Sequence, residues 1–346
     1  PRSGGPAADR DDGRGSQVGG VDLPVPRGEL ETRLPKDSIP AITDPEFGAN
    51  WQGVDVAGGA ETDGDAVLPG DAPVVGVARD GEARAYPLRI LDWHEAVNDT
   101  FGGPLLVTYC PLCGSAVTAE RRVDGEETIF GVSGQLWRDD LVLYDRATES
   151  LWSQLLATAI RGPRTGEQLS LVPSSLTTWD EWQDAHPETS VLLPPPASNT
   201  VRGRDATFAY GRSKYGYDGT QLIGRGESDS AEPAPRRLVI GVTAGGEARA
   251  YPFDVVAESG VVNDQVGTLP VVVTVTPGNT LVAYDRRVDG RVLSFGVDDN
   301  AHLQAGGSRW ERATGRAVDG SYEGHQLESA TDVPAMFWKG WRDFHP

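Results

Sequence analysis

Two cysteines, Cys110 and Cys113, are the only ones in the chain of 346 residues, and two residues separate them. Thiolates at this spacing can bind one cation together, and His94, in the segment just before them, can add a third ligand. Two sulfurs and an imidazole suit copper or zinc, with copper preferred. A fourth ligand would be water, Asp92, Glu95 or a residue that the sequence does not reveal. We therefore predict a metal site at His94, Cys110 and Cys113 with one open position.

Much of the chain is repeated once. The segment Gly81–Pro87 recurs as Gly246–Pro252, 165 residues later. The same spacing relates Val97–Asp99 to Val262–Asp264, Arg121–Gly125 to Arg286–Gly290, and Phe130–Val132 to Phe295–Val297. At spacings of 158 to 159, tryptophans recur as the pairs Trp152 and Trp310, Trp179 and Trp338, and Trp182 and Trp341. This pattern indicates duplication of a whole domain rather than a short solenoid repeat.

The second copy lacks all three candidate ligands. At the corresponding positions it has Ser259, Thr276 and the pair Gly278-Asn279. Unrelated core residues have no reason to be lost together, whereas members of one site do. By contrast, His186 and His345 are kept in both copies beside a paired tryptophan, which indicates a structural role for them.

The second copy is also shorter. About seven residues are missing between Val297 and Trp310, as the change in spacing from 165 to 158 shows. The missing or rewritten region corresponds to Trp137–Asp140 in the first copy. This segment could form a wall of the first-copy site, or it could be a solvated turn with a packed tryptophan.

Two other interpretations of the cysteine pair stay open. A proline between the cysteines is similar to the motifs of dithiol redox centres, where a nearby histidine can lower a thiol pKa. However, the strand-rich pattern around the pair has no βαβ rhythm. A structural disulfide is the ordinary expectation for two cysteines of an exported protein, but it would close a very short loop and leaves the loss of His94 unexplained. We assign no catalytic residue, since Ser115 and Ser133 have no histidine–aspartate relay.

The chain is strongly acidic. It has 51 Asp and Glu against 31 Lys and Arg, a formal net charge of −20, and only three of its basic residues are lysines. In concentrated salt, screening acts over a few ångströms and weakens the self-repulsion of such a surface. The composition therefore predicts a halophilic protein. Nucleic acid is not an expected partner, because no basic stripe could displace phosphate counterions.

The sequence favours an exported protein. It has no run of about 18 apolar residues that would predict a transmembrane segment. It begins at Pro1 without an initiator methionine, which is typical of a processed mature form, and we expect a location outside the cell or at its surface. Residues 1–34, which are rich in Gly, Asp and Arg, are predicted to form an N-terminal arm. Contact with a neighbouring subunit could order this arm. The alternative function is therefore a subunit of an extracellular filament or surface assembly, with this arm on the next subunit and the cysteines as a disulfide.

Most predicted elements are strands. Short apolar runs bounded by turn residues predict them at 74–78, 82–86, 105–109, 116–119, 128–130 and 141–144. Two helices are predicted in each copy, and those of the first copy cover 87–97 and 177–185.

The predicted fold is mainly β with short helices, a β-rich α+β class built by tandem duplication. It comprises the arm at 1–34, a first β-domain at 35–200 that carries the cysteines, and a degenerate second copy at 201–346.

The strings Trp93–Thr100, Thr108–Ala116, Tyr144–Arg146 and Leu151–Gln154 resemble the family known as DUF3179. The resemblance extends over roughly residues 35 to 346 and includes the second copy. The family is of unknown function, so it implies no activity. It implies a single architecture along the chain, in a family whose members often look exported or lipid-anchored.

Overall fold

The computed structural model of the protein describes residues 16–18, 21–54, 56, 68–211, 214–215, 234–298 and 302–345. Over these residues the fold is mainly β with short helices, which confirms the predicted class. No helix in this part of the chain is long and apolar enough to cross a membrane. We call the described residues up to 211 the first half and residues 234–345 the second half.

The strands of the first half are, in chain order, β1 (Ser16–Val18), β2 (Val21–Leu23), β3 (Leu30–Thr32), β4 (Ile42–Asp44), β5 (Phe47–Gly48), β6 (Pro73–Arg79), β7 (Glu82–Pro87), β8 (Ala96–Thr100), β9 (Pro104–Cys110), β10 (Ser115–Glu120), β11 (Arg122–Val123), β12 (Glu126–Glu127), β13 (Phe130–Trp137), β14 (Asp140–Asp145), β15 (Leu151–Ser153), β16 (Thr158–Arg161), β17 (Ser175–Thr178), β18 (Ser190–Leu192) and β19 (Asn199–Thr200). The strands of the second half are β20 (Leu238–Ala244), β21 (Glu247–Pro252), β22 (Val261–Val266), β23 (Leu269–Val275), β24 (Leu281–Asp285), β25 (Arg287–Val288), β26 (Arg291–Val292), β27 (Gly296–Val297), β28 (Leu303–Ala305), β29 (Ser308–Trp310) and β30 (Met336–Phe337). The α-helices are α1 (Leu88–His94), α2 (Trp179–Ala185), α3 (Phe253–Ser259) and α4 (Trp338–Phe344), and short 3-10 helices lie at Arg27–Glu29 and Gly320–Tyr322.

The strands form small sheets with mostly antiparallel pairing. The first half has three five-stranded sheets, in the orders β10-β9-β8-β4-β19, β16-β15-β14-β13-β3 and β17-β6-β7-β18-β5. The second half has three-stranded sheets in the orders β21-β20-β30, β22-β23-β24 and β27-β28-β29. The two-stranded ribbons are β1-β2, β11-β12 and β25-β26. Only two of the described pairings are parallel, β4 with β8 and β7 with β18.

A recurring asparagine makes the same contacts in both halves. The side-chain amide of Asn98 donates to the Phe130 carbonyl oxygen at 2.9 Å, and its oxygen accepts from the Phe130 N–H at 2.7 Å. Asn263 bonds in the same way to Phe295, at 2.7 and 2.8 Å. These bonds tie separate strands together, so this repeated motif serves the fold.

The tryptophan helices pack on glycines in the strands beside them. A Cβ atom added to Gly76 would lie 2.3 Å from the Trp182 ring, and one added to Gly241 would lie 1.8 Å from the Trp341 ring. Because glycine has no side chain, each tryptophan ring can occupy the space beside the strand, and these two contacts position α2 and α4.

The two histidines that recur at the repeat spacing stack on the same tryptophans. The ring centroids of His186 and Trp182 are 4.1 Å apart, and those of His345 and Trp341 are 3.8 Å apart. Each histidine ends its helix, where its backbone N–H donates to the carbonyl oxygen of the tryptophan. These contacts fit the structural role that the sequence indicates.

Local predictions fail mainly at helix ends. The helix predicted over 87–97 ends at His94, because Glu95 has a φ of 57° and its N–H caps the Leu91 carbonyl oxygen at 2.8 Å. Val97 therefore lies in β8, and the predicted end of the helix is wrong.

The second predicted helix and most strands are nearly correct. The helix predicted from 177 begins at Trp179, since Thr178 accepts from the Glu181 N–H as the N-terminal cap. The hairpin predicted from 74–78 and 82–86 is confirmed by β6 and β7. The strand predicted at 128–130 begins only at Phe130.

Part of the predicted arm pairs with strands of the predicted first β-domain. The strand β3 pairs with β13, and the Val25 N–H donates to the Ile160 carbonyl oxygen at 2.9 Å. Residues 1–15 of the arm lie outside the described residues. At the other boundary, Tyr210 lies in the core of the first half, beyond the end predicted at residue 200.

Candidate metal centre

The two cysteines lie in a tight turn between β9 and β10. Cys110 is the last residue of β9 and pairs with Ser115, the first residue of β10, so the chain reverses within Pro111–Gly114. Gly114 has a φ of 57°, in the region that favours glycine. Both cysteines are buried, with exposed fractions of 1% and 2%, and both are free thiols.

A second turn brings a carboxylate to the thiols. The strands β13 and β14 are joined by Arg138 and Asp139, whose φ values of 53° and 64° are typical of a type I′ turn. The backbone carbonyl oxygen of Asp139 accepts weak hydrogen bonds from the sulfurs of Cys110, at 3.7 Å, and Cys113, at 3.5 Å. The next residue, Asp140, begins β14 directly beside this contact.

Asp140 completes a group of three side chains that could hold a metal ion. One oxygen of its carboxylate and the sulfurs of Cys110 and Cys113 all lie within 4.8 Å of one another, and all three residues are buried. The Ser153 hydroxyl donates to this carboxylate at 2.5 Å, and the Leu155 N–H lies 3.3 Å from it. These bonds orient the carboxylate. Two sulfurs and a carboxylate oxygen are all donors that zinc accepts in proteins.

The pocket disfavours negative charge. Burial raises the pKa of Asp140 to about 7, in spite of the hydrogen bond from Ser153. The pKa of Cys113 is raised well above its usual range, first by a hydrogen bond with Cys110 and then by burial. A cation bound here would act in the opposite direction, because it favours the charged form of every ligand.

Comparison of the sequence with known proteins identifies its family. A family model described as "Protein of unknown function (DUF3179)" matches residues 36–346. The chain belongs to this family. The match confirms the resemblance carried by the motifs and covers both halves. Neither the curated proteins nor the solved structures contain a match. The function must therefore be argued from the site.

In this DUF3179 member, His94 is not part of the cysteine group. It ends α1 and is completely buried. Its Nδ1 lies 2.6 Å from the Pro40 carbonyl oxygen, and its Nε2 lies 2.7 Å from the Tyr210 hydroxyl. Burial lowers the pKa of His94 to about 4. The neutral ring therefore donates from Nδ1 and accepts at Nε2, and both nitrogens are occupied by protein partners.

The acids near His94 also lie outside this group. Asp92 and Glu95 are buried, and burial raises the pKa of Glu95, which Lys214 opposes. The Lys214 ammonium donates to the Asp92 carbonyl oxygen at 3.2 Å. The structure thus brings together two of the three predicted ligands, Cys110 and Cys113, and adds a different third residue.

Sequence patterns alone do not identify Asp140 as a ligand. It lies 27 residues after Cys113, and the contact arises only because two separate hairpin turns meet. The one sequence signal is that Trp137–Asp140 falls where the repeat spacing changes, in a region without a clear counterpart in the second half. The second half also has no cysteine at the corresponding positions.

Proposed function

We propose that the protein binds one metal ion through Cys110, Cys113 and Asp140. The observation that carries this proposal is the burial of two free thiols and a carboxylate within 4.8 Å of one another. Buried acids are normally paired or bound to a cation, because an isolated buried charge is costly. The hydrogen bonds from Ser153 and Leu155 orient the carboxylate and stabilise its charge only in part, since burial still raises its pKa to about 7.

The donor set favours Zn(II), with Cu(I) as the main competitor. The sequence favours copper for a site of two sulfurs and an imidazole, but His94 already uses both ring nitrogens. A carboxylate is an ordinary ligand for zinc, whereas Cu(I) prefers soft sulfur donors. Three protein ligands leave a fourth position, as in sites that carry or use a metal. The site therefore suits metal binding or delivery, and it assigns no reaction.

The first test is the metal content of the full-length protein. We expect about one zinc or copper per chain, and its loss in the double variant Cys110→Ser/Cys113→Ser, because a hydroxyl is a much poorer ligand than a thiolate. Elemental analysis after purification in salt measures this, and circular dichroism checks that the variant is folded. A wild-type protein that takes up neither ion from a metal buffer would overturn the proposal.

We also propose that the two halves arose by duplication, with boundaries near those predicted from the sequence, 35–200 and 201–346. The matching hydrogen bonds of Asn98 and Asn263 and the matching contacts of Gly76 with Trp182 and of Gly241 with Trp341 support this. The strands β6 and β20 begin 165 residues apart, at Pro73 and Leu238, which is the spacing of the sequence repeat.

We further propose that the protein works in concentrated salt, because its formal net charge is −20. If so, its free energy of unfolding will keep rising with KCl above about 1 M, where the Debye length is already about 3 Å. Chemical unfolding at increasing KCl concentrations measures this. A plateau below about 0.3 M would indicate ordinary charge screening and contradict halophily. A location at the cell surface stays a prediction from the sequence.

A further inference from the structure

The cysteine turn is covered by a helix from the other half of the chain. The Phe337 N–H donates to the Cys113 carbonyl oxygen at 2.9 Å, and α4 begins at the next residue. A Cβ atom on Gly114 would lie 2.7 Å from the Phe337 ring, and one on Gly340 would lie 3.1 Å from the Cys113 Cβ. Glycine at these two positions therefore permits the close approach of α4 to the turn.

The same helix is tied to the second turn of the site. The Lys339 ammonium forms an ion pair with the Asp139 carboxylate. The carbonyl oxygen of Asp139 is the one that accepts from both thiols. Beside it, the Arg138 guanidinium donates to the Asp343 carbonyl oxygen at 3.1 Å. The helix α4 and the residue before it thus contact both turns of the centre. The cysteine turn is contacted through a backbone hydrogen bond and two glycines, and the Asp139 turn is contacted through an ion pair.

The reciprocal contact, from the first half to the second, has different chemistry. There Glu181 of α2 reaches the turn 276–280, which corresponds to the cysteine turn. Its carboxylate accepts from the Gly278 N–H at 3.1 Å and from the Thr280 hydroxyl at 2.7 Å. A Cβ atom on Gly278 would lie 2.6 Å from this carboxylate. In the half without cysteines, the helix therefore inserts an acid into the turn.

The repeat spacing aligns the residues that make these two contacts. At 159 residues, Asp180 corresponds to Lys339, and Glu181 corresponds to Gly340. In the helix that contacts the cysteine turn, Gly340 thus stands in place of Glu181, and Lys339 stands in place of Asp180. Both differences suit a centre that must hold a cation with negative ligands: glycine leaves room for Cys113, and lysine places a positive charge beside the ligands.

We propose that α4 is a cap that the second half supplies to the metal centre, with Lys339 as a positioning residue that fixes the Asp139 turn. The inference rests on the proposed metal function. Two thiolates and a carboxylate carry more negative charge than one Zn(II) or Cu(I) neutralises. The ammonium offsets the further negative charge that the Asp139 carboxylate would otherwise add beside the ligands. Because the cysteines are buried and α4 contacts their turn, we expect separation of α4 from the turn to speed exchange of the ion.

Metal release from the loaded full-length protein tests the cap. With a chelator in excess, Lys339→Met should release zinc about tenfold faster than wild type, and Lys339→Arg should stay within about twofold, as expected for residues that support metal ligands. Arg342→Met is the matched control, because Arg342 lies on the same helix but is half-exposed and pairs with its neighbour Asp343. Equal release rates in Lys339→Met and Arg342→Met would overturn the inference.

A second measurement does not depend on metal. The rate at which a disulfide reagent such as dithionitrobenzoate modifies the thiols of the metal-free protein reports how often the cap opens. We expect faster modification in Lys339→Met than in Arg342→Met, and equal rates would overturn the cap. If the wild type binds no metal, the proposed function fails. The thiol modification rates still decide whether α4 protects the cysteines.

Discussion

Asp140→Asn reduces the affinity of the protein for Zn(II) by more than about 100-fold, since the loss of an outer-shell partner alone costs about 10- to 100-fold. Asparagine keeps the size of the side chain and can still accept from Ser153, but it brings no negative charge to the ion. The fold should survive, because burial raises the pKa of Asp140 to about 7 and the pocket without an ion therefore favours a neutral group. Competition against a zinc chelator of known affinity measures the loss.

The matched control is Asp145→Asn. Asp145 lies on the same strand, is equally buried and accepts from the Trp152 indole N–H at 2.9 Å and from Thr148, but it is not in the cysteine group. Its variant should lose stability and keep its metal. Wild-type affinity in Asp140→Asn would remove Asp140 from the ligand set. Equal metal loss in both variants would show that the effect comes from the fold and not from a ligand.

The local parts of the fold could be read from the sequence. The hairpin at 74–86 was predictable because two short runs of strand-forming residues flank a turn of Asp80 and Gly81. A turn at the cysteines also follows from the sequence, because the predicted strands at 105–109 and 116–119 flank Pro111 and Gly114. The end of α1 was not, because Glu95 adopts a left-handed conformation that the apolar pattern continuing to Val97 does not reveal.

The third ligand could not be read from the sequence because it depends on how two sheets meet. The joint loss of His94 and the cysteines in the second copy suggested one site. The structure offers another reason for the loss of the histidine. His94 bonds to Pro40 and Tyr210, which lie outside the repeated segments, so a histidine at the corresponding position would lack these partners. Residues can therefore disappear together without sharing a site.

The second half differs from the first at the helix that contacts the other half, which suggests a role beyond packing. If the second half served only for packing, nothing would require Lys339 and Gly340 at the positions that correspond to Asp180 and Glu181 in the first half. The cysteines and their cap differ from their counterparts as a set, on opposite sides of the contact. The proposed division of roles, with the ligands in one half and the cap in the other, would account for both differences.

His94→Ala lowers the free energy of unfolding by about 3 kcal/mol or more at pH 7, while the metal content stays at the wild-type level. The change opens a cavity in a completely buried place and removes the partner of the Pro40 carbonyl oxygen and of the Tyr210 hydroxyl. Urea unfolding and elemental analysis of the same sample measure the two effects. His94→Gln, which can keep one of these bonds, should lose less stability. Loss of metal in a folded His94→Gln protein would restore the histidine to the ligand set.

The stability that His94 contributes should also depend on pH. Burial lowers its pKa from 6.5 to about 4, so between these values the unfolded chain binds a proton that the folded chain does not. This contribution is complete above about pH 6.5 and falls by about 3 kcal/mol as the pH drops to about 4. The raised pKa of the neighbouring Glu95 has the opposite effect, but Glu95 is present in both proteins. The stability difference between wild type and His94→Ala should therefore shrink as the pH falls from 7 to 4, and a constant difference would show that His94 is not held neutral in the folded protein.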